Sequence, residues 1–159
     1  MKVGDFMTRG VLFAAPDDTL SKVAGLMLRY GINGFPVLER GRLVGMITQG
    51  DFLRRTETGT ARSRLAHAFA NPGQFGKEYV HSHGRTVGEV MTRDVVTTSE
   101  DASLSAAVEL MLEHHINRLP VVKGDAVVGI ISRVDFLRAF LFAAPNRAAK
   151  DIGDAAIGR

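Results

Sequence analysis

The chain contains an internal duplication, and this duplication constrains the fold more than any other feature of the sequence. The segment from Val3 to Arg54 aligns without a gap with the segment from Val87 to Arg138, and nearly half of the aligned residues are identical. VGDFMTRGV matches VGEVMTRDV, and LVGMITQGDFLR matches VVGIISRVDFLR. A unit of about 50 residues buries too little apolar surface to be stable alone. We therefore expect two repeats that pack together as one module, related by an approximate twofold axis.

Both repeats predict the same order of helices and strands, which places the chain in the α/β class. Apolar residues recur at helical spacing after an acidic turn, and two short apolar runs joined by a hairpin-like turn follow. The expected elements are a strand at 11–14 or 95–98, a helix at about 19–30 or 103–114, and a strand pair at 35–38 with 43–47 or 119–122 with 127–131. A second helix closes each repeat. Thr86 and Glu89 have capping-box spacing, which predicts a short helix at the start of the second repeat.

The predicted domain organisation follows from these patterns. It comprises a first repeat at 1–55, an insert at 56–86, a second repeat at 87–144 and a C-terminal tail at 145–159. The insert contains a possible short helix at 61–70 and is long for a connector. It could cover a sheet edge, contribute to a site or serve only as a link.

Composition argues against several classes of protein. At 159 residues, with 45% hydrophobic and 23% charged residues, the chain suits a globular domain. No apolar run approaches the roughly 18 residues of a membrane span, and the N-terminus has no apolar signal core, so we expect a cytoplasmic protein. The absence of cysteine excludes disulfides and thiolate metal sites. The net charge of +3 is spread among charges of both signs, which argues against nucleic-acid binding.

The last predicted helix, VDFLRAFLFAA at 134–144, is apolar almost all round. Such a helix must be covered on more than one side. We expect part of the cover to come from a second copy of the chain, as a homodimer. The alternative is that the tail after Pro145 folds back over the helix.

A hydroxyl residue and an aspartate recur at the end of each repeat, as Thr48 with Asp51 and Ser132 with Asp135. This spacing is that of a capping box, and a helix cap is the simplest interpretation. Aspartate is a less usual partner than glutamate in such a box, however. A strand that leads into a helix N-terminus also suits an anion, and a carboxylate one turn later can accept hydrogen bonds from two neighbouring hydroxyls. Both interpretations stay open at this point, and the second describes a ribose 5′-phosphate.

The order of these motifs, repeated twice, resembles that of tandem cystathionine β-synthase (CBS) domains. The resemblance rests on MTRxV, the acidic turn, the apolar helix, IN-x-x-PVV or its variant INGFPVL, and the final [ST]-x-x-D. It covers nearly the whole chain except the insert and the tail. The resemblance implies a compact α/β pair that often dimerises into a disk. It also implies regulatory binding of AMP, ADP or ATP in clefts between the repeats, without catalysis or a catalytic cofactor.

The resemblance implies two sites, each combining the carboxylate of one repeat with base-binding segments of the other. The residues of the first site are Asp135, Ser132, Arg118, Arg133, Val11, Leu12, Ile32 and Asn33. The residues of the second site are Asp51, Thr48, Val95, Val96, Ile116 and Asn117. Arg118 falls where related pairs place a basic phosphate contact, whereas Gly34 stands at that position in the first repeat. We therefore expect unequal sites, with the Asp135 site favouring a charged nucleotide.

Other candidate functions have weaker support in the sequence. His81 and His83 could bind a metal, but no carboxylate at ligand spacing completes the set, and we expect no metal site. No nucleophile elbow, P-loop or zinc-protease motif is present in the sequence, so we expect no enzyme. The leading hypothesis is a sensor of the cellular nucleotide pool whose output lies on a partner or on a longer chain. The alternative hypothesis is a structural dimerisation module with vestigial ligand sites.

Overall fold

The computed structural model describes residues 1–54 and 86–143. In chain order the elements are α1 (Val3–Phe6), α2 (Leu20–Tyr30), β1 (Gly34–Glu39), β2 (Arg42–Thr48), α3 (Gln49–Arg54), α4 (Val87–Val90), α5 (Leu104–Glu113), β3 (Arg118–Lys123), β4 (Ala126–Ser132) and α6 (Arg133–Ala143). The predicted α/β class, the strand pairs and the helices are confirmed. The insert and the tail lie largely outside the described residues, and the possible helix at 61–70 lies entirely outside them. Within the described ranges no helix combines the length and apolar content needed to cross a bilayer.

The main helix of each repeat begins at a hydroxyl cap. The Thr19 side chain accepts a hydrogen bond from the backbone N–H of Lys22, at 3.2 Å, and the Ser103 side chain accepts one from Ala106, at 3.1 Å. Each bond satisfies one of the N–H groups that a helix start leaves without a partner. The predicted starts of α2 and α5 are therefore confirmed. α2 ends at Gly31, which adopts the left-handed conformation that a glycine accepts without steric cost.

Each repeat forms its own two-stranded antiparallel sheet. β1 pairs with β2 and β3 pairs with β4, and each pair contains an irregularity after its central valine, Val37 or Val121. The prediction of separate strands at 11–14 and 95–98 is wrong. Within the described residues these segments form only single parallel bridges, from Ala14 to Val37 and from Thr98 to Val121. Because each bridge joins one pair of residues, neither segment extends into a strand of its own.

The described residues form two compact units, and neither is made of one repeat alone. The first-repeat unit spans Leu12–Val95 and the second-repeat unit combines Met1–Val11 with the chain from Val96 onward. Each unit therefore joins the N-terminal segment of one repeat to the sheet and helices of the other. Within the second-repeat unit, Val3 N–H donates to the carbonyl of Ala102 at 2.9 Å.

The N-terminal segments are held by reciprocal backbone hydrogen bonds with the second strand of each hairpin. Thr8 exchanges two bonds with Ile130, of 2.8 and 2.9 Å, and Thr92 exchanges two bonds with Met46, both of 2.9 Å. Apolar side chains of the same segments enter the two cores. The first-repeat core contains Ala14, Leu20, Val23, Met27, Phe35, Val37, Ile47, Val87, Val90 and Met91. The second-repeat core contains Val3, Met7, Leu104, Ala107, Met111, Leu119, Val121, Ile131 and Ala139.

Candidate functional site

The carboxylate of Asp135 lies buried at the junction between β4 and α6. Its Oδ2 accepts hydrogen bonds from both the backbone N–H and the hydroxyl of Ser132, each at 2.8 Å. Its Oδ1 accepts a hydrogen bond from Nη1 of Arg138, also at 2.8 Å. The carboxylate therefore ties down the last residue of the strand, as the capping interpretation predicts. The Ser132 hydroxyl points its proton at this carboxylate, and so its oxygen remains able to accept a further hydrogen bond.

Asp51 occupies the equivalent place in the first-repeat unit, at the junction of β2 and α3. Its Oδ2 accepts from the Thr48 N–H at 2.7 Å and from the Thr48 hydroxyl at 2.8 Å. Its Oδ1 accepts from the hydroxyl of Thr92 at 3.0 Å. The two junctions therefore share the hydroxyl–carboxylate arrangement and differ in the second donor. Among the described contacts, this donor is the Arg138 guanidinium at Asp135 and the Thr92 hydroxyl at Asp51.

The backbone at these junctions is less available to an anion than the sequence suggested. The Arg133 N–H donates to the carbonyl of Asn117 at 3.1 Å, and the Gln49 N–H donates to the carbonyl of Asn33 at 3.0 Å. The first N–H group of each helix is thus already paired within its own unit. A phosphate at either junction would depend more on side-chain cations than on the helix start.

Arg118 lies directly opposite Ser132 in the β3–β4 ladder. Directly opposite residues of an antiparallel pair have Cβ atoms about 4.5–5.5 Å apart, so a cation stands beside the hydroxyl. Burial lowers the pKa of Arg118 from its ordinary value, because the charged guanidinium loses solvation there. At the equivalent place in β1, Gly34 lies opposite Thr48. The strand register therefore places an arginine opposite one hydroxyl and a glycine opposite the other, and the inequality of the two sites stays a prediction.

The remaining predicted residues differ in their exposure. Ile32 packs against the first-repeat core, and Ile116 and Val96 pack against the second-repeat core. The exposed members of the set are Leu12, Asn33, Asn117 and Arg133, and the half-buried members are Val11 and Val95. Each unit brings the Ile–Asn segment of a repeat to the hydroxyl–aspartate junction of that same repeat. The pairing of segments from different repeats stays a prediction.

Two contacts at the junctions did not emerge from the sequence. Arg138 follows Asp135 by three residues on a helix, a spacing at which charged side chains meet, so its contact could have been expected. Thr92 reaches Asp51 from 41 residues away, and only folding brings the two together. The only sequence signal for this contact was that the threonine recurs in the MTR motif of both repeats.

The predicted histidine pair, His81 and His83, lies outside the described residues. Within residues 1–54 and 86–143 no three histidine, cysteine, aspartate or glutamate side chains form a group that could hold a metal ion.

Comparison with known proteins agrees with the repeat pattern. The model of the CBS domain family matches residues 3–57 and 87–142. The chain is 34% identical over 139 residues to protein MJ1225 of Methanocaldococcus jannaschii, covering 87% of this chain and 46% of that protein. The crystal structure of MJ1225 superposes with a TM-score of 0.70 and covers 87% of this chain and 47% of that one. The chain thus spans about half the length of this relative.

Two further similar structures contain adenosine compounds. The CBS domain pair of protein MJ0100, in complex with 5′-methylthioadenosine and S-adenosyl-L-methionine, is 26% identical with a TM-score of 0.67, covering 91% of this chain and 98% of that one. CBSX2 of Arabidopsis thaliana in complex with AMP is also 26% identical, with a TM-score of 0.67, covering 89% of this chain and 96% of that one. Both are CBS-pair proteins of nearly the same extent as this chain. Together with the match of both repeats to the family model, these similarities show that the chain belongs to the CBS domain family.

Proposed function

We propose that this chain is a non-catalytic regulatory module that binds an adenine nucleotide, AMP, ADP or ATP. The observation that carries the proposal is the junction of the second repeat, where Arg118 lies opposite Ser132 and Ser132 is bonded to the buried carboxylate of Asp135. A carboxylate accepts hydrogen bonds from the hydroxyls of a ribose, and a neighbouring guanidinium pairs with its phosphate. One cross-strand pair thus offers both complementary groups.

The similar structures support an adenosine compound as the ligand class. CBSX2 holds AMP, and the MJ0100 pair holds 5′-methylthioadenosine and S-adenosyl-L-methionine. The basic Arg118 favours the phosphorylated compound for this chain. On the sequence-based prediction, Val11, Leu12, Ile32 and Asn33 would contact the base. An AMP-sized ligand at about −0.3 kcal/mol per heavy atom would bind with a dissociation constant on the order of 10 μM, which suits sensing of a cellular nucleotide pool.

A thermal-shift panel tests the ligand class. AMP, ADP, ATP, S-adenosylmethionine, NAD and guanine nucleotides are each added to the purified chain. A ligand that binds only the folded state raises the melting temperature by mass action. We expect an adenine nucleotide to give the largest rise. No rise with any compound at millimolar concentration would contradict the proposal.

Calorimetry with an Arg118 variant tests the role of the basic side chain. Arg118→Gln removes a charge-assisted hydrogen bond of about 1.5–3 kcal/mol, so AMP should bind roughly ten- to a hundredfold more weakly. Adenosine, which has no phosphate, should bind as before. Arg29→Gln serves as the matched control, because Arg29 is exposed beside Tyr30 and far in sequence from the junction. Equal losses for AMP and adenosine would show that Arg118 does not contact the phosphate.

The second candidate function is a dimerisation module whose ligand sites are vestigial. The observation that favours it is the exposed apolar surface of α6, formed by Val134, Leu137, Phe140, Leu141 and Phe142. We propose that a second copy of the chain covers this α6 surface. In the leading proposal, binding of nucleotide changes the geometry of this dimer, and an effector protein or an output domain responds to the change. A dimer that forms equally well without nucleotide, combined with a flat thermal-shift panel, would favour the vestigial alternative.

A further inference from the structure

Asp135 is paired with a cation that the proposed ligand site does not use. Arg138 Nη1 lies 2.8 Å from Asp135 Oδ1, and the Arg138 side chain is 65% exposed whereas that of Asp135 is only 3% exposed. The carboxylate thus lies beneath an arginine that is itself free to move in solvent. Arg138 and Asp135 are about one helical turn apart on α6, so the ion pair forms within a single helix.

The hydrogen bonds of Asp135 leave limited capacity for a ligand. A carboxylate has about four lone-pair positions, two on each oxygen. Oδ2 accepts two bonds from Ser132, and Oδ1 accepts one from Arg138. The bond from the Ser132 N–H is set by the backbone of the strand–helix junction, and the bond from its hydroxyl belongs to the same residue. Arg138 is the charged donor, and its exposed side chain can withdraw without changing the fold.

We propose that Arg138 is a gate on Asp135, a resident competitor that must withdraw from Oδ1 before both hydroxyls of a ribose can bind the carboxylate, because only one lone-pair position is otherwise open. This inference rests on the proposed function, because it assigns a regulatory contact to the same site. An ion pair with one solvent-exposed partner contributes up to about 1 kcal/mol, so displacing it lowers ligand affinity by up to roughly fivefold. Salt screens the pair, so the gate opens as ionic strength rises.

Adenosine is the probe for this gate, since it carries the ribose hydroxyls and no phosphate that would respond to general charge. Arg138→Met keeps the length and helix propensity of the side chain and removes its charge. We expect adenosine to bind this variant roughly two- to fivefold more tightly than wild type in titration calorimetry. Raising salt from about 0.05 M to about 0.5 M should strengthen adenosine binding to wild type and leave Arg138→Met unchanged.

Two controls separate the gate from other effects. Arg29→Met makes the same charge change on α2 and should leave adenosine binding at the wild-type value. A double-mutant cycle with Asp135→Asn tests the route of the effect: Arg138→Met should no longer change adenosine affinity once the carboxylate is removed. A tightening that persists without the carboxylate would overturn the gate.

The failure of the gate and the failure of the proposed function give different results. If wild type binds AMP and adenosine, and Arg138→Met binds adenosine with wild-type affinity and wild-type salt dependence, the gate is wrong and the nucleotide function stands. If wild type binds neither compound at millimolar concentration, the nucleotide function is wrong and the gate falls with it.

Discussion

At the scale of single residues, a methionine in each N-terminal segment lies against a glycine of the neighbouring strand. A Cβ built on Gly129 would lie 2.7 Å from the sulfur of Met7 and 2.9 Å from the carbonyl oxygen of Thr8. A Cβ built on Gly45 would likewise lie 2.5 Å from the sulfur of Met91. The glycines are therefore required by close approach of another segment rather than by their own backbone angles.

Gly129→Ala should therefore destabilise the protein by about 1–3 kcal/mol, because the added methyl meets a backbone oxygen as well as a flexible side chain. The change is read from the midpoint of urea unfolding. Gly25→Ala is the matched control. Gly25 lies exposed within α2 with open space around its Cβ position, so the substitution should stabilise by about 0.5–1 kcal/mol. Loss of stability in the control, or none at Gly129, would contradict the packing.

Asp18 is a second residue whose environment has a measurable consequence. Burial by itself raises the pKa of this carboxyl, but the hydrogen bond from the Ala15 N–H and the contacts with Lys22 outweigh burial and hold the pKa below its ordinary value. Because this pKa is lower in the folded state than in the unfolded state, the ionised carboxylate stabilises the protein at any pH above the unfolded-state pKa. The stabilisation is lost as the pH falls through the folded-state pKa. That window lies below about pH 4.

Asp18→Asn should therefore cost about 1–2 kcal/mol at neutral pH, and the difference from wild type should shrink as the pH falls below about 4. Urea unfolding at several pH values measures the difference. Asp17→Asn makes the same charge change at an exposed neighbour and should show no comparable convergence. A difference between Asp18→Asn and wild type that stays constant down to pH 3 would count against the hydrogen-bonded carboxylate.

At the scale of elements, the short helices α1 and α4 stabilise a sheet that belongs to the other repeat. Val3 and Val87 are fully buried, in the second-repeat core and the first-repeat core respectively. Each is the first residue of its helix. The capping box of Thr86 and Glu89 predicted α4 from the sequence, but no local pattern could show in which core the helix would lie.

Because α1 and α4 each pack in the core of the other repeat, the same valine-to-alanine substitution in the two helices should affect different sheets. Val3→Ala and Val87→Ala should each cost about 1.5–3 kcal/mol, because each removes two buried methyl groups. Native-state hydrogen exchange locates the loss. Val3→Ala should lower protection in β3 and β4, and Val87→Ala should lower it in β1 and β2. Each variant is the other's control, and loss of protection in the opposite sheet would disprove this packing.

At the scale of the whole molecule, the two repeats differ in the residue that lies opposite each junction hydroxyl. Their cores use equivalent positions, such as Met27 with Met111 and Val37 with Val121. The junctions, by contrast, pair Thr48 with Gly34 and Ser132 with Arg118. A duplicated fold therefore places an arginine opposite one junction hydroxyl and a glycine opposite the other, and unequal ligand sites follow if the nucleotide proposal holds.

The α6 surface gives a prediction about assembly. Leu137 is exposed at its centre, and burying a charge there without a partner is unfavourable, so Leu137→Glu should convert a dimer to the 17.2 kDa monomer. Light scattering on a size-exclusion column measures the mass. Ser21→Glu adds the same charge to an exposed position of α2 and should leave the dimer intact. A monomeric wild type, or a Leu137→Glu dimer, would argue against this surface.

The sequence by itself determined the duplication, the α/β class, the hairpins and the helix starts, because apolar periodicity, turn residues and caps are local signals. It also identified Ser132 and Asp135 as a pair, since three residues separate them. Tertiary structure alone decided which core receives each N-terminal helix and that the Thr92 hydroxyl reaches Asp51. Thr92 and Asp51 meet through chain folding, and no spacing encodes that meeting. The predicted strands at 11–14 and 95–98 failed for the same reason, because a strand needs a ladder with a distant segment and only one bridge forms at each of them.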